Sequence, residues 1–568
     1  MKSTNILLVA ASLSLSTATA QDLTKEITIE KEIVPEQRAA TRLNATPRLL
    51  QPEVKQRQLT MSDRSTASTV PAMVDRLEPA RAAADTAADK RGYVAAGYFP
   101  TYNLALSAGY RIVDNAATGA GVWMQFDGLS YKEKNLMGDK FSYERNTLSL
   151  GGDVTHRINS RLTLDASAAY SFMSVSRPWY ESADDQGIHR LWVNAAVKGR
   201  SQQCDYTLGA EVGYTGFTRG GRLPLAVPAS DADLKAIGEI DFGVNGGVAS
   251  LSDDGNRFGL NLSARFNRYN RYNRWQVASD GGVDVDWGGS EILGAVTFNP
   301  YWTVAAEEFN ATIGADIDLA VNSGRFVNVA PHAGISWTPR LAGSMLSLFA
   351  TATGGVRANT LGSLLDYTPY VCPLFGYKHS RVPVDIIAGV TVGPYHGTAL
   401  TLRGGYSIAD DWLMPVVVDG SNLWHAVDLK GWRAGATLTH RSRWIKSLTV
   451  SYDYAPNSGD KGYYMWRDHA RHVLDAEVTV SPIKPLDVTL GFESRWNRGS
   501  YAYSTTTAEA GSVSLGRSNN LSVGGLYRFT DRLSFFIRGE NLLNTKSYML
   551  FDIPAQGITG LLGAAYKF

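Results

Sequence analysis

The sequence predicts an all-β protein, a transmembrane antiparallel β-barrel of about 22 strands behind a short extended arm. Three observations carry that expectation. From Tyr93 onward the dominant hydrophobic period is two. The links between the alternating segments are short and long by turns. The chain ends on a stretch, 557–568, in which Ile558, Gly560, Leu562, Ala564, Tyr566 and Phe568 share one face. Thr559, Leu561, Gly563, Ala565 and Lys567 share the other, because side chains alternate across a strand.

Bulk composition narrows the class. The chain has 568 residues, is 44% hydrophobic and carries a net charge of +1. Near-neutral charge argues against a nucleic-acid partner. After the first twenty residues no apolar run approaches the roughly 18 residues of a spanning helix. Gly (55) and Tyr (27) are abundant, which suits many strands and tight turns.

Residues 1–20 read as a secretory signal peptide. Lys2 is its basic end, 6–15 its apolar centre and Ala18-Thr19-Ala20 its small-residue cleavage site. No cysteine follows, so no lipoprotein anchor is expected. Residues 21–90 hold no Phe, Tyr or Trp and carry Pro35, Pro47, Pro52, Pro71 and Pro79. Such a stretch buries little apolar surface and should form an extended periplasmic arm. Within it Ile27, Thr28 and Ile29 sit in a β-prone run that can add a strand to a periplasmic partner. A plain tether is the competing reading.

Residues 91–568 should form the barrel. Leu162, Leu164, Ala166, Ala168, Tyr170 and Phe172 alternate with Thr163, Asp165, Ser167 and Ser171. Phe309, Ala311, Ile313, Ile317, Leu319 and Val321 alternate with Asn310, Thr312, Asp316 and Asp318. A soluble sandwich would alternate too, so the links decide. Even links are short: 114–117, 159–160, 201–203, 252–255, 484–485 and 530–531. Odd links are mostly long: 133–144, 177–187, 220–232, 358–381, 410–426, 457–470 and 499–516. Short links at Pro100 and Gly324 are the exceptions. Transmembrane barrels carry short periplasmic turns and long outer loops, and only a closed barrel satisfies strand backbone in lipid. Both termini are therefore expected in the periplasm of a bacterial outer membrane. Tyr301, Trp302, Trp337, Tyr406, Trp432, Tyr452 and Trp496 fall near strand ends, as interfacial girdles require. Cys204 should lie at the periplasmic rim and Cys372 in an outer loop, too far apart to pair.

The run from Arg538 to Tyr548 reads RGENLLNTKSY, with Pro554 and Gly557 before the terminal strand. It resembles the end of TonB-dependent receptors, where Asn-Leu-x-Asn/Asp-x-x-Tyr precedes a loop with Pro and Gly. Asn541, Leu542 and Asn544 fit; Tyr548 stands one residue late, and the loop reads Pro554-Ala-Gln-Gly557 where the family has Pro-Gly-Arg. The resemblance implies an outer-membrane barrel for uptake, driven through a TonB-like partner. The family also has a folded plug of well over a hundred residues; residues 21–90 are too few and lack a plug's glycine-rich pattern.

Candidate sites follow. Asp165, Glu239, Asp241, Arg265, Asp316, Asp318, Asp487, Glu493, Arg495, Arg538 and Glu540 should face the lumen, along a solute path or as a network of ion pairs. Tyr463, Tyr464, Trp466, His469 and His472 cluster in or beside one outer loop and could hold a sugar or protein, or simply pack on themselves. Tyr566 and Phe568 should end the signal read by the barrel insertion machinery. No nucleophile elbow, catalytic carboxylate pair, phosphate loop or zinc spacing stands out, so no enzyme, cofactor or metal is expected. Uptake is the first functional reading. A non-transporting scaffold whose arm binds a periplasmic partner is the alternative. Without a plug, a barrel this wide needs something across it, and 358–381 is the longest inward-folding candidate.

Overall fold

The computed structural model describes residues 91–568 except 137, 177–184, 223–232, 235, 251–255, 271, 278–282, 289–290, 322–324, 340–344, 372–378, 459–463, 466–469, 505–506 and 508. Residues 1–90, and with them the expected signal peptide and arm and Ile27, Thr28 and Ile29, lie outside the described residues.

Twenty-two antiparallel strands close into one barrel. The first seven are β1 (Gly92–Phe99), β2 (Asn103–Asp114), β3 (Thr118–Lys134), β4 (Lys140–Asn159), β5 (Leu162–Val175), β6 (Gln186–Arg200) and β7 (Cys204–Phe217). Next come β8 (Gly238–Ser250), β9 (Asn256–Tyr269), β10 (Glu291–Ala305), β11 (Phe309–Val321), β12 (Val327–Trp337) and β13 (Leu346–Arg357). Then follow β14 (Ser380–Tyr395), β15 (Thr398–Val418), β16 (Ser421–His440), β17 (Ile445–Tyr454) and β18 (Ala470–Ile483). The last four are β19 (Leu486–Ser504), β20 (Ser518–Arg528), β21 (Leu533–Glu540) and β22 (Thr559–Lys567).

Each strand pairs with its sequence neighbours, and β22 closes on β1 through Tyr93↔Lys567 to Tyr98↔Leu562. The seam is tied at its end by paired backbone bonds between Gly92 and Phe568 (2.8 and 2.9 Å). This is the closing strand that the alternation at 557–568 predicts.

The short turns have a common chemistry. Asn115, Asn159, Ser201 and Thr530 each accept backbone N–H groups two or three residues ahead. Such side chains replace the missing ladder bonds of a tight turn. The barrel's outer face is apolar: Val122, Met124, Leu208, Val212, Ile240, Phe242, Ile313 and Leu562 all stand exposed at alternating positions. In water such a belt would be costly; in hydrocarbon it is the solvated surface. Phe258 stacks on Trp302 (5.8 Å), and Phe568 on both Tyr566 (6.3 Å) and Tyr110 (6.4 Å).

Two expected long links are strand instead. Residues 410–426 extend the β15–β16 hairpin to a tight turn at Asp419-Gly420. Within 499–516, the strand Glu509–Ser514 folds back on the far part of β19. Both stretches lack the unbroken alternation that marks a wall strand, because their two faces meet protein rather than lipid and lumen. Cys204 is a free thiol; Cys372 lies outside the described residues.

Candidate functional site

The link from β13 to β14 builds the most elaborate site at the long-loop end. Helix α1 (Leu361–Tyr367) begins it. Thr360 is the N-cap: its hydroxyl accepts from the Ser363 N–H (3.0 Å), while the Ser363 hydroxyl accepts from the Thr360 N–H (3.1 Å). This reciprocal pairing satisfies two of the donors a helix start leaves open. A third, the Leu361 N–H, donates to a Glu239 carboxylate oxygen at 2.5 Å. Glu239 is fully buried at the start of β8, so the barrel wall itself caps the helix. Arg190 of β6 pairs with Asp366. Gly362 permits the approach, since a Cβ there would stand 3.1 Å from the Arg190 guanidinium. The Tyr269 hydroxyl donates to the Asn359 carbonyl (3.0 Å), and the Asn359 amide donates to Ser380 (2.9 Å).

Apolar packing then carries the segment across the barrel. Leu361, Leu364, Leu365, Tyr370 and Val371 share one buried core with Val175, Ile188, Phe217, Ile237, Tyr269 and Leu293, at the ends of β5 to β10. Met549, Leu550 and Ala555, from the β21–β22 link, complete it together with Trp424, against which Tyr367 packs edge-on (5.6 Å). Tyr370 is fully buried, within electrostatic reach of Tyr131 and Arg145 on β3 and β4, and burial pushes its phenol up. A segment rooted between β13 and β14 thus packs on strand ends from β10 round to β5, eight places from β13 in a ring of 22. Each fully buried large apolar side chain contributes about 1.5–3 kcal/mol. The segment is therefore a lid held by its own hydrophobic core. A second core lies beside it: Met414, Val416, Val418, Leu423 and Val427 of the β15–β16 hairpin pack with Tyr503, and Val417 pairs in parallel with Ala502.

The β21–β22 link explains the C-terminal motif. Asn541 and Asn544 both adopt left-handed backbone (φ 47° and 49°), which Asn tolerates. The Asn541 side chain accepts from the Thr545 N–H (2.9 Å) and donates to the Thr545 (3.1 Å) and Gln556 (3.0 Å) carbonyls. The Tyr131 hydroxyl donates to the Pro554 carbonyl (2.9 Å). The link is thereby folded back onto the barrel, where Met549, Leu550 and Ala555 join the lid core.

The charges singled out in the sequence sit on the strand faces opposite the exposed apolar belt, mostly in pairs. Asp165 meets Lys198 (2.9 Å), and Arg265 lies 3.7 Å from both Asp241 and Glu211. Asp316 accepts from Asn299 (2.6 Å) and Asp318 from Thr297 (2.6 Å). Asp487 takes Lys446 (2.5 Å) and Arg528 (2.6 Å), Glu493 takes Arg495 (2.8 Å), and Arg538 pairs with Glu540. Glu239, beside Asp241, turns one carboxylate oxygen to the lid. Arg190 and Asp366 were not legible as a pair, since 176 residues separate them. Of the aromatic cluster, only Tyr464 and His472 fall among the described residues. His472 is on β18, stacked on Trp496 (5.0 Å) and hydrogen-bonded to Tyr452 (2.8 Å). Tyr464 lies in a two-residue strand paired with 457–458, while Tyr463, Trp466 and His469 fall outside the described residues. No group of three metal-ligating side chains occurs among the described residues.

No protein-family model matches the sequence, and neither does any curated protein. Solved structures do match in fold. The siderophore receptor PirA from Acinetobacter baumannii aligns with a TM-score of 0.64 at 10% identity, over 84% of this chain and 80% of that one. A mutant of the ferric enterobactin receptor PfeA from Pseudomonas aeruginosa aligns at 0.63 and 13%, over 84% and 80%. The ferripyoverdine receptor of the Pseudomonas aeruginosa outer membrane, bound to ferripyoverdine, aligns at 0.59 and 11%, over 84% and 72%. At these identities the likeness is one of fold, and it agrees with the C-terminal motif: this chain is a 22-stranded barrel similar to those of TonB-dependent siderophore receptors.

Proposed function

We propose that the chain is an outer-membrane uptake barrel whose outer mouth is closed by its own lid, built from residues 358–371, and conducts solute only when that lid moves. The observation that carries this reading is the transverse packing of Leu361 to Val371 from the β13–β14 root to the ends of β5 and β6 and to the β21–β22 link. The fold shared with receptors for siderophores supports passage of a solute from outside to inside. In this reading both termini are periplasmic, and residues 21–90 form an arm in place of a plug. Ile27, Thr28 and Ile29 engage a TonB-like partner by strand addition. The paired interior charges line the path, the Tyr463–His469 loop offers the first outer contact, and Tyr566 and Phe568 are read by the insertion machinery. No catalytic step is assigned.

Planar bilayers test the reading. The full chain should be silent, and a chain lacking both 21–90 and 359–378 should pass current. Silence of the doubly deleted barrel, inserted and folded, overturns it. The scaffold alternative draws support from the same lid, because a fully apolar core opens reluctantly. Crosslinking from the arm to one periplasmic protein, together with a silent deleted barrel, would favour it.

A further inference from the structure

Three lysines stand together on the outward face of the β3–β4 hairpin. The ladder between these strands runs without a register shift from Thr118↔His156 to Lys134↔Lys140. The alternation of faces therefore carries unbroken along its whole length. Val122 and Met124, in the exposed apolar belt, share a face with Lys132, Lys134 and Lys140. Tyr131 and Tyr143 share the other face, where they are buried and stack at 5.3 Å. Lys140 stands directly opposite Lys134 and diagonal to Lys132. Such positions put Cβ atoms about 4.5–5.5 Å and roughly 7–8 Å apart.

Like charges directly opposite each other on a ladder cost stability. Here the fold holds them in place. The Leu136 N–H and the Asn135 amide donate to the Asp552 carboxylate (2.8 and 3.2 Å), and the Asn135 side chain accepts the Asp139 N–H (2.8 Å). The turn that joins Lys134 to Lys140 is thus pinned to the β21–β22 link. All three lysines are exposed, and among the described residues none of them has a carboxylate partner. Glu144, the acid on the same face, takes the hydroxyls of Ser130 and Ser142 instead (3.3 Å each).

Depth selects the occupant. Tyr98 and Tyr102 are 53% and 40% exposed and mark the aromatic girdle at this end of the wall. The Ser130 N–H donates to the Tyr102 carbonyl (3.1 Å), so Ser130 lies at girdle height. Lys132 and Lys134 follow two and four residues later. That is about 7 and 13 Å along the strand, and roughly 5 and 10 Å in height at a barrel's tilt. A lipid headgroup layer is about 5–8 Å deep, and a lysine stem bridges the remainder. We propose that Lys132, Lys134 and Lys140 bind the anionic phosphate headgroup of a membrane lipid. Its acyl chains lie on the belt below, over Met124 and Val122. The phosphate sits between Lys134 and Lys140 and offsets their repulsion, and Lys132 supplies a third ammonium. This surface is independent of the lid and of whether the barrel conducts.

The test is native mass spectrometry of the full chain in detergent micelles, titrated with phosphatidylglycerol, phosphatidylcholine or sodium phosphate. The expected result is tight retention of one phosphatidylglycerol, much weaker retention of phosphatidylcholine, and no displacement of the lipid by sodium phosphate. Lys134→Gln/Lys140→Gln, and the triple variant with Lys132→Gln, should weaken that retention by about fivefold for each lysine removed. Lys484→Gln, on an exposed short turn at the opposite end of the barrel, should leave it unchanged. Heat-modifiable electrophoretic mobility shows that each barrel folds. Retention that the triple variant leaves unchanged overturns the proposal, and so does equal loss in Lys484→Gln, since charge anywhere would then suffice. Phosphatidylcholine held as tightly as phosphatidylglycerol, or sodium phosphate displacing the lipid, overturns it as well.

Discussion

Leu208 and Leu361 are the same residue in opposite settings. Leu208, on β7, is 61% exposed; Leu361, at the start of α1, is 1% exposed. The wall keeps its leucines outward because hydrocarbon is their solvent, and it draws stability from ladders that leave no strand edge. The lid keeps its leucines inward because water reaches the long-loop end, and it draws stability from a core like that of a soluble domain. One chain therefore carries two rules for where an apolar side chain goes, and a perturbation should separate them.

The largest effect belongs to the seam. Phe568 closes the wall through its backbone pair with Gly92 and its stacking on Tyr110 and Tyr566. Deleting Phe568 should cause severe loss of membrane-inserted protein, read by surface labelling and heat-modifiable mobility. Normal surface levels would sink the assignment of an assembly signal.

The next effect compares the two leucines directly. Leu361→Ala should loosen the lid by about 2–5 kcal/mol, as for other buried Leu truncations. Leu208→Ala should cost far less, since hydrocarbon fills the space. Amide exchange over residues 361–371 should speed up for the first variant only. Equal effects of the two substitutions would mean that the lid core is not what holds the segment.

This contrast also explains what the sequence made legible. The wall was readable because a strand with lipid on one face and lumen on the other must alternate, as at Leu162 to Phe172. Turn residues such as Asn159 marked its links, and the closing pair of β1 with β22 followed from parity. The lid was legible only as a long link. Its core joins Leu364 to Val175, Ile188 and Leu293, residues far from it in sequence, and no local period encodes such contacts. The run from Thr360 to Ser363 did hold a capping signal, but its third partner is Glu239, 122 residues away. The hairpins at 410–426 and 499–516 escaped for the same reason: they pack on each other, so their alternation is broken.

A smaller effect should appear with pH. His379 is held below the usual histidine range by burial. The Asp410, Asp411 and Asp428 carboxylates and the Arg325 and Arg381 guanidiniums share its cleft. An unfolded histidine titrates near about 6.5, so above that pH both states are neutral and the lid is fully stable. Below it, the open state binds a proton that the closed state resists, and lid stability falls as pH falls. Exchange protection at residues 364–371 should therefore weaken between about pH 6.5 and 5. His379→Leu should flatten that dependence; an unchanged profile would place the sensitive group elsewhere.

The smallest effect distinguishes the lid's polar ties from its core. Arg190 and Asp366 are 34% and 58% exposed at the side chain, so water screens their attraction. Such pairs are worth about 0–1 kcal/mol, and salt reduces them further. Arg190→Gln should thus raise exchange in α1 by less than about fivefold at low salt, and by nothing measurable at 1 M salt. The Glu239 contact differs, because its carboxylate is fully buried and accepts the Leu361 N–H directly. Glu239→Ala would leave that donor unpaired at a buried helix start, at about 1–3 kcal/mol. If Arg190→Gln proved as costly as Glu239→Ala, the lid would be held by surface charge, and its closure should then follow ionic strength rather than core packing.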